Sequence, residues 1–159
     1  MAHGREKVRG GVGQIFRPTD LRPVLGGAVV QAELQRFFAS YREAFNRLDP
    51  EAISRHFCVP SVMTSHAGDA IWADASQIRA NMVALCEHYR THGFVAAEFE
   101  LRAFIDQPPD HAVADLQWTI RRSGARPSSR FRTGYNLRRE SSGWRVLLCT
   151  AYEEDPLNG

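Results

Sequence analysis

The sequence predicts an α+β fold, a cone-shaped and strongly bent antiparallel sheet with three N-terminal helices. Two patterns predict it: apolar residues recur mainly at spacings of three and four in the first half, and alternate with polar residues in the second. Helices followed by a run of strands are typical of this class. At 159 residues with 43% hydrophobic content, the chain can form one domain with its own core.

The N-terminal segment is rich in glycine and proline, which do not sustain a helix or a central strand. We therefore predict a flexible arm over residues 1–27 and the folded domain over residues 28–155. The run GGVG in the arm lacks the third glycine of a dinucleotide-binding loop and follows no predicted strand, which disfavours a phosphate loop. RNA binding through the single arginine-glycine-glycine triplet of the arm is a weak alternative.

The first helix is predicted over residues 28–48, where the apolar residues form one stripe. That stripe consists of Leu34, Phe37, Phe38, Tyr41, Phe45 and Leu48. Asp49 is a predicted N-cap, with Pro50 in the first turn of a second, short helix that runs to about Phe57.

Two short strands are predicted next, over residues 61–66 and 69–72, with a turn between them. Asp74 and Gln77 then have the spacing of a capping box, which predicts the start of a third helix. Gly93 is predicted to end it.

Four long antiparallel strands are predicted after Gly93, each with an apolar inner side. The inner residues are Ala97, Phe99, Leu101 and Ala103, then Ala114, Leu116, Trp118 and Ile120, then Phe131, Thr133, Tyr135 and Leu137, then Trp144, Val146, Leu148, Thr150 and Tyr152. The outer side is charged except in the last strand, where Leu147, Cys149 and Ala151 are apolar. A homodimer through the outer sheet face would cover these residues.

Composition excludes several classes of protein. Acidic residues interleave with the arginines, so the chain lacks the basic stripe of a nucleic-acid-binding protein. Three widely spaced cysteines favour neither a disulfide framework nor a zinc cluster. No apolar run approaches the ~20 residues of a membrane helix, and no secretory signal begins the chain. We expect a cytoplasmic protein with no nucleic-acid or membrane partner.

Several segments together resemble the nuclear transport factor 2 superfamily. They are the run YREAFNRLDPEAISRHF and the strand sequences LQWTIRR, FRTGYNLRRE and GWRVLLCTAYEE. Within that superfamily they are similar to the SnoaL-like and steroid-isomerase-like branch, over about residues 28–155. The resemblance implies a pocket inside the cone, but not a reaction, since the superfamily includes isomerases, cyclases, dehydratases, ligand binders and interaction modules.

Some catalytic positions of steroid isomerases can be transferred residue by residue. Tyr41 occupies the position of the phenol that binds an enolate oxygen in those enzymes. A count without gaps places their general-base aspartate on Ser65 and their second acid on Thr133, so both acids are replaced. A shift of one residue would bring Thr64 or His66 into the first position. Because serine and threonine are poor unaided bases, the resemblance does not imply steroid isomerisation.

Histidines are the remaining candidates for proton transfer. His56 precedes Phe57 at a position where the superfamily usually has an apolar residue, so we expect its side chain to point inward, as a core histidine bonded to a carbonyl or as a pocket acid–base group. His66, oriented by Asp69, is a second candidate. His88 and His92 have metal-ligand spacing on the third helix, but without a third ligand they favour a helix-end role. We predict neither a metal nor a cofactor.

The pocket itself is predicted to be partly apolar and partly hydroxyl-lined. The predicted lining consists of Tyr41, Met63, Ser65, Asp69, Trp72, Met82, Trp118, Thr133, Tyr135, Thr150 and Tyr152. Two hypotheses follow. In the first, the pocket binds a small, largely apolar, oxygen-bearing molecule, with or without isomerisation, cyclisation or dehydration by Tyr41 and His56 or His66. In the second, the protein is a non-catalytic dimeric interaction scaffold.

Overall fold

The computed structural model describes residues 27–156 of the chain, with side chains up to Glu153. The predicted arm, its GGVG run and its arginine-glycine-glycine triplet lie outside the described residues, except for Gly27. That glycine is the first residue of a helix.

The three predicted helices are present: α1 (Gly27–Asn46), α2 (Pro50–Ser54) and α3 (Ala75–Thr91). Helix α2 is shorter than predicted, because the chain enters the first strand at Phe57. Both predicted caps are confirmed. Asp49 accepts a hydrogen bond from the backbone N–H of Ala52 at 3.0 Å, and Asp74 accepts one from that of Gln77 at 3.0 Å.

Six strands form one curled, unclosed sheet in the order β2-β1-β6-β5-β4-β3. Their bounds are β1 (Phe57–Ser65), β2 (Gly68–Trp72), β3 (Phe94–Gln107), β4 (His111–Arg122), β5 (Ser129–Glu140) and β6 (Gly143–Pro156). The predicted fold class is confirmed. One pair departs from a fully antiparallel sheet, since β1 and β6 run parallel.

The inner faces of β4 and β5 follow the predicted alternation, but β6 does not. In β6 the pairing skips Leu147: Leu137 pairs with Val146 and Asn136 pairs with Leu148. This β-bulge shifts the alternation by one residue. Cys149 and Ala151 therefore face inward, and the predicted inward positions of Leu148, Thr150 and Tyr152 are wrong.

A second register shift lies in β3, where Leu101 pairs with Leu116 but Ala103 pairs with Asp115. The inner face consequently passes from Leu101 to Phe104, which packs against the core, while Ala103 is exposed. The predicted inward position of Ala103 is wrong for the same reason as in β6.

The core lies between the helices and the inner face of the sheet, and α1 packs mainly on β3. The C-terminal end of α1 is tied to that strand by a side chain. Asn46 Oδ1 accepts a hydrogen bond from the backbone N–H of Ala97 at 2.7 Å, and Asn46 Nδ2 donates to the Ala97 carbonyl at 3.3 Å. This two-bond contact imitates a further strand pairing and holds α1 over one end of the sheet.

Candidate functional site

A cavity of about 190 Å³ lies between α1, α3 and the inner face of the sheet. Most of its wall is made of aromatic rings, methionines and aliphatic side chains. The lining residues are Tyr41, Phe45, Phe57, Met63, Met82, Leu85, Tyr89, Ala97, Trp118, Ile120, Phe131, Thr133, Tyr135, Cys149 and Ala151. No Asp, Glu, Lys, Arg or His occurs among the described residues that line it.

Four polar side chains meet on the cavity wall, and we call them the hydroxyl cluster: Tyr41, Trp118, Thr133 and Tyr135. The Tyr135 hydroxyl accepts a hydrogen bond from Trp118 Nε1 at 3.1 Å and lies within hydrogen-bonding reach of Tyr41 and Thr133. All four residues are at least 95% buried. A small group of hydrogen-bonding side chains is thus held on the wall of a largely apolar cavity.

Burial keeps the ionisable groups of this wall neutral. It raises the pKa of Tyr41 well above 10 and also raises that of Tyr135. Burial raises the pKa of the Cys149 thiol to about 12. At neutral pH the cavity wall therefore carries no charge, and its polar groups act as hydrogen-bond donors and acceptors.

His56 does not line the cavity, although it lies directly behind the ring of Tyr41, with ring centroids 5.3 Å apart. Its Nδ1 is 2.9 Å from the carbonyl oxygen of Ala52 and its Nε2 is 3.1 Å from Ser40 Oγ. A carbonyl only accepts, so Nδ1 carries the proton and Nε2 of the neutral ring accepts from Ser40. Both nitrogens are occupied outside the cavity.

Three other predicted site residues lie in the β1–β2 hairpin, away from the cavity wall. Ser65 is the last residue of β1, and its hydroxyl bonds with the backbone of Ala67 and Gly68. His66 and Asp69 are exposed, and the structure shows no hydrogen bond or ion pair between them. The structure therefore does not bring these side chains together with Tyr41.

Trp72 and Tyr152 are also absent from the cavity wall. Trp72 is buried and packs edge-on against Phe57, with ring centroids 5.6 Å apart. Tyr152 lies on the outer side of the sheet, where its hydroxyl donates to Asp115 Oδ1 at 2.6 Å and Arg132 sits 5.4 Å from its ring centroid. The bulge at Leu147 is the cause of this placement.

Of the predicted lining, the structure thus groups Tyr41, Met63, Met82, Trp118, Thr133 and Tyr135 around one cavity. The same bulge brings in Cys149 and Ala151, which sequence reasoning placed on the outer face. The sequence does contain a sign of this bulge, the run VLLC at residues 146–149. All four of its residues are apolar, so the alternation of apolar and polar residues is interrupted there. The cavity-facing side chains of α3, Leu85 and Tyr89, belong to an amphipathic stripe that predicts burial without distinguishing core from cavity.

The described part of the chain contains no group of three or more His, Cys, Asp or Glu arranged to hold a metal ion. His88 and His92 stack with ring centroids 4.0 Å apart, and His92 Nδ1 bonds to the His88 carbonyl at 2.7 Å. Within residues 27–156, every helix is too short or too polar to cross a membrane.

A family model described as NTF2-like protein (DUF6841) matches residues 32–154. No curated protein matches the sequence significantly.

Solved structures with the same fold share little sequence. An NTF-2-like protein of Shewanella oneidensis MR-1 has a TM-score of 0.64 at 12% identity, covering 78% of this chain and 99% of its own. A ketosteroid isomerase-like protein of Erwinia carotovora atroseptica has a TM-score of 0.61 at 15% identity, covering 80% and 96%. The protein Aln2 of a Streptomyces species has a TM-score of 0.66 at 14% identity, covering 82% and 94%.

At these identities the structural matches establish a shared fold only. The family match covers most of the folded domain and agrees with the superfamily that the sequence motifs predict. The chain therefore belongs to the NTF2-like family DUF6841.

Proposed function

We propose that the protein binds a small, neutral, largely apolar molecule that presents an oxygen atom to the hydroxyl cluster. The observation that carries this proposal is an uncharged, mostly apolar cavity with a short group of hydrogen-bonding side chains on its wall. An ionised ligand would lose its hydration there without meeting an opposite charge, which is strongly unfavourable. Ketones, lactones and phenols fit this requirement.

The volume of the cavity limits the part of the ligand that enters it. An apolar cavity of about 150 Å³ is enough to hold benzene. The cavity of about 190 Å³ therefore suits one substituted ring, or one end of a longer molecule whose remainder extends through the mouth. A ketosteroid isomerase-like protein is among the structures with this fold, and this is compatible with a cyclic ketone as ligand.

The hydroxyl cluster can donate hydrogen bonds to a ligand. Trp118 Nε1 donates to the Tyr135 oxygen, and the hydroxyls of Tyr41, Thr133 and Tyr135 each carry a proton on the cavity wall. A carbonyl oxygen accepts such a bond, whereas a pure hydrocarbon does not. The cluster thus gives an apolar cavity its preference for oxygen-bearing ligands.

Binding without proton transfer is the form of the proposal that the geometry favours. Abstraction of a proton from carbon needs a base within reach of the substrate. The cavity wall has neither carboxylate nor imidazole among the described residues, and both nitrogens of His56 are occupied outside it. Isomerisation or cyclisation by His56 would require its ring to leave these bonds and pass Tyr41.

A thermal-shift screen against cyclic ketones, lactones, phenols and fatty acids tests the proposal. A neutral ligand at 100 times its Kd should stabilise the protein by about 2.7 kcal/mol, or about 5–10 °C in Tm for a domain of this size. We expect hits among ketones, lactones or phenols. If no compound of these classes raises the Tm, the ligand-binding proposal is overturned and the interaction scaffold is favoured.

The variant Tyr41→Phe removes one hydroxyl of the cluster and keeps the ring. We expect affinity for a ketone hit to fall about two- to tenfold, the worth of one hydrogen bond, with little change in Tm. Tyr152→Phe is the matched control, because it makes the same change outside the cavity. Equal affinities in both variants would contradict the role of the cluster, and isothermal titration calorimetry would measure them.

A further inference from the structure

A second and larger cleft, of about 590 Å³, lies on the protein surface. It is bounded by the exposed side of α1, the residues after α2 and the turn between β5 and β6. Four arginines contribute to its wall, Arg36, Arg55, Arg139 and Arg145, so we call it the arginine cleft. Its size is within the range of small-molecule sites, roughly 300–1,000 Å³.

The arginine cleft holds a concentration of positive charge. Its four arginines face two glutamates, Glu33 and Glu140, which leaves two positive charges with His56 neutral. Outside the cleft, residues 27–159 contain 11 arginines and 14 acidic residues, so the positive charge of the cleft is a local excess.

Both glutamates of the cleft are already bonded to other side chains. Glu33 pairs with Arg139 and accepts a hydrogen bond from Trp144 Nε1 at 3.0 Å. Glu140 accepts from Arg138 at 2.8 Å and lies 3.4 Å from Arg145. Neither carboxylate is left to neutralise the other two arginines.

Those two arginines, Arg36 and Arg55, have positive charges that nearby carboxylates do not fully neutralise. Arg36 makes no ion pair within the described residues, and its side chain is exposed. Arg55 reaches Glu51 only at 3.5 Å, and Glu51 is paired more closely with Arg79, at 2.9 Å. An anion in the cleft would complete the pairing of both.

The remaining wall is held by internal contacts and can donate hydrogen bonds. The guanidinium of Arg139 lies 4.7 Å from the ring centroid of Trp144, and Arg145 bonds to the Arg55 carbonyl and, at 3.1 Å, to Ser142 Oγ. The hydroxyl of Ser141 also lines the cleft, while that of Ser40 is already bonded to His56. Guanidinium and hydroxyl donors together are the groups that recognise phosphate and carboxylate oxygens.

We infer that the arginine cleft is a binding site for the phosphate or carboxylate group of a small molecule, separate from the apolar cavity. This site takes a ligand of opposite chemistry to the first one, because it has surplus cations where the cavity has none. The inference does not depend on the proposed function, since no residue of the cleft lines the cavity.

The tryptophans make the two sites separately observable by NMR. The indole N–H of Trp144 lies at the arginine cleft and that of Trp118 at the cavity, while Trp72 lines neither. The full chain, labelled with nitrogen-15, would be titrated with phenyl phosphate and with benzoate at constant ionic strength. These probes share a ring and differ in the anionic group.

We expect a saturable shift of the Trp144 indole resonance with at least one probe, while the Trp118 indole resonance stays unchanged. A response to phenyl phosphate alone assigns a phosphate site, and a response to benzoate alone assigns a carboxylate site. A Trp144 resonance that does not move, or a Trp118 resonance that moves instead, would overturn the inference.

Charge variants distinguish a site from general attraction. We expect Arg36→Gln and Arg55→Gln each to weaken binding by up to about fivefold, the usual range for an exposed ion pair. Arg102→Gln is the matched control, because Arg102 is an exposed arginine of β3 that pairs with Glu100 outside the cleft. Equal weakening by the control would show non-specific attraction and would refute the site.

Discussion

Tyr41 touches both candidate sites with a single ring. Its hydroxyl belongs to the cluster on the cavity wall, while its ring edge meets His56 of the arginine cleft at a centroid distance of 5.3 Å. The two sites are thus separated by about the thickness of one packed aromatic layer. Phe37 completes this layer, with its ring 5.4 Å from His56 and 6.5 Å from Tyr41.

His56 should make the stability of the fold depend on pH. Burial lowers the pKa of this histidine below 6.5, its backbone hydrogen bonds oppose that shift, and the nearby charge of Arg145 adds to it. The unfolded chain consequently takes up a proton at a higher pH than the folded chain does. The stability that neutral His56 provides is present above about pH 6.5 and is lost as the pH falls towards its folded pKa.

The variant His56→Gln tests this dependence. We expect the loss of unfolding free energy between pH 7.5 and pH 5 to be smaller in the variant than in the wild type, as measured by urea denaturation at each pH. Burial lowers the pKa of His88 as well. The variant His88→Gln therefore measures separately how much of the pH dependence comes from this second histidine. An unchanged pH dependence in His56→Gln would contradict the assignment.

At the scale of elements, the bulge in β6 decides which side chains the cavity receives. Without it, Thr150 and Tyr152 would face the hydroxyl cluster and Ala151 would face outward. With it, two small side chains, Cys149 and Ala151, lie opposite Tyr135 and Thr133. Small residues at these positions leave space that larger ones would fill, so the bulge helps to create the cavity.

Filling the cavity from β6 should abolish ligand binding. In Ala151→Phe the new ring enters the cavity, where we expect at least a tenfold loss of affinity for any cavity ligand and a stability cost of about 1–3 kcal/mol from overpacking. The Trp118 indole resonance should also move in the NMR spectrum.

Thr150→Phe is the control for that prediction, because it places a ring on the other side of the same strand. Thr150 bonds with Thr64 at 2.8 Å and pairs with Gly134, both away from the cavity. We expect its Trp118 resonance and its ligand affinity to match those of the wild type. The reverse result, a blocked cavity in Thr150→Phe only, would show that β6 has no bulge at Leu147.

At the scale of the whole molecule, the homodimer through the outer sheet face stays a prediction. Its sequence argument weakens, since Cys149 and Ala151 face the cavity and no longer need an outside cover. The outer face instead carries a half-buried polar group of Asp115, Arg132 and Tyr152, in which the buried Nε of Arg132 has no hydrogen-bond partner. A second copy packed on this face would cover that group.

Multi-angle light scattering measures the molar mass, and therefore the oligomeric state, directly. We expect a mass of about twice 17.9 kDa at micromolar concentration. Gln117→Arg should shift it to the monomer mass, because it adds a charge beside Arg132 on the half-buried outer face, and Arg79→Gln on exposed α3 should not. A monomeric wild-type protein would exclude this dimer.

Much of the fold follows from the sequence by itself. The spacing of Leu34, Phe38 and Tyr41 specified the stripe of α1, the caps Asp49 and Asp74 specified where α2 and α3 begin, and alternation specified the inner faces of β4 and β5. These features depend on local geometry, the periods of a helix and a strand and the reach of a capping side chain. One side of the cavity was predicted because it lies on these regular elements. That side consists of Tyr41, Thr133 and Tyr135.

Only the tertiary structure decided the rest of the site. A β-bulge depends on how two distant strands pair, so the inward position of Cys149 and Ala151 could not be derived from β6 alone. The same holds for His56, whose ring is turned away from the cavity by bonds to Ala52 and Ser40. The arginine cleft joins α1 to a turn about a hundred residues further along the chain, and charges that far apart in sequence become one site only when the chain folds.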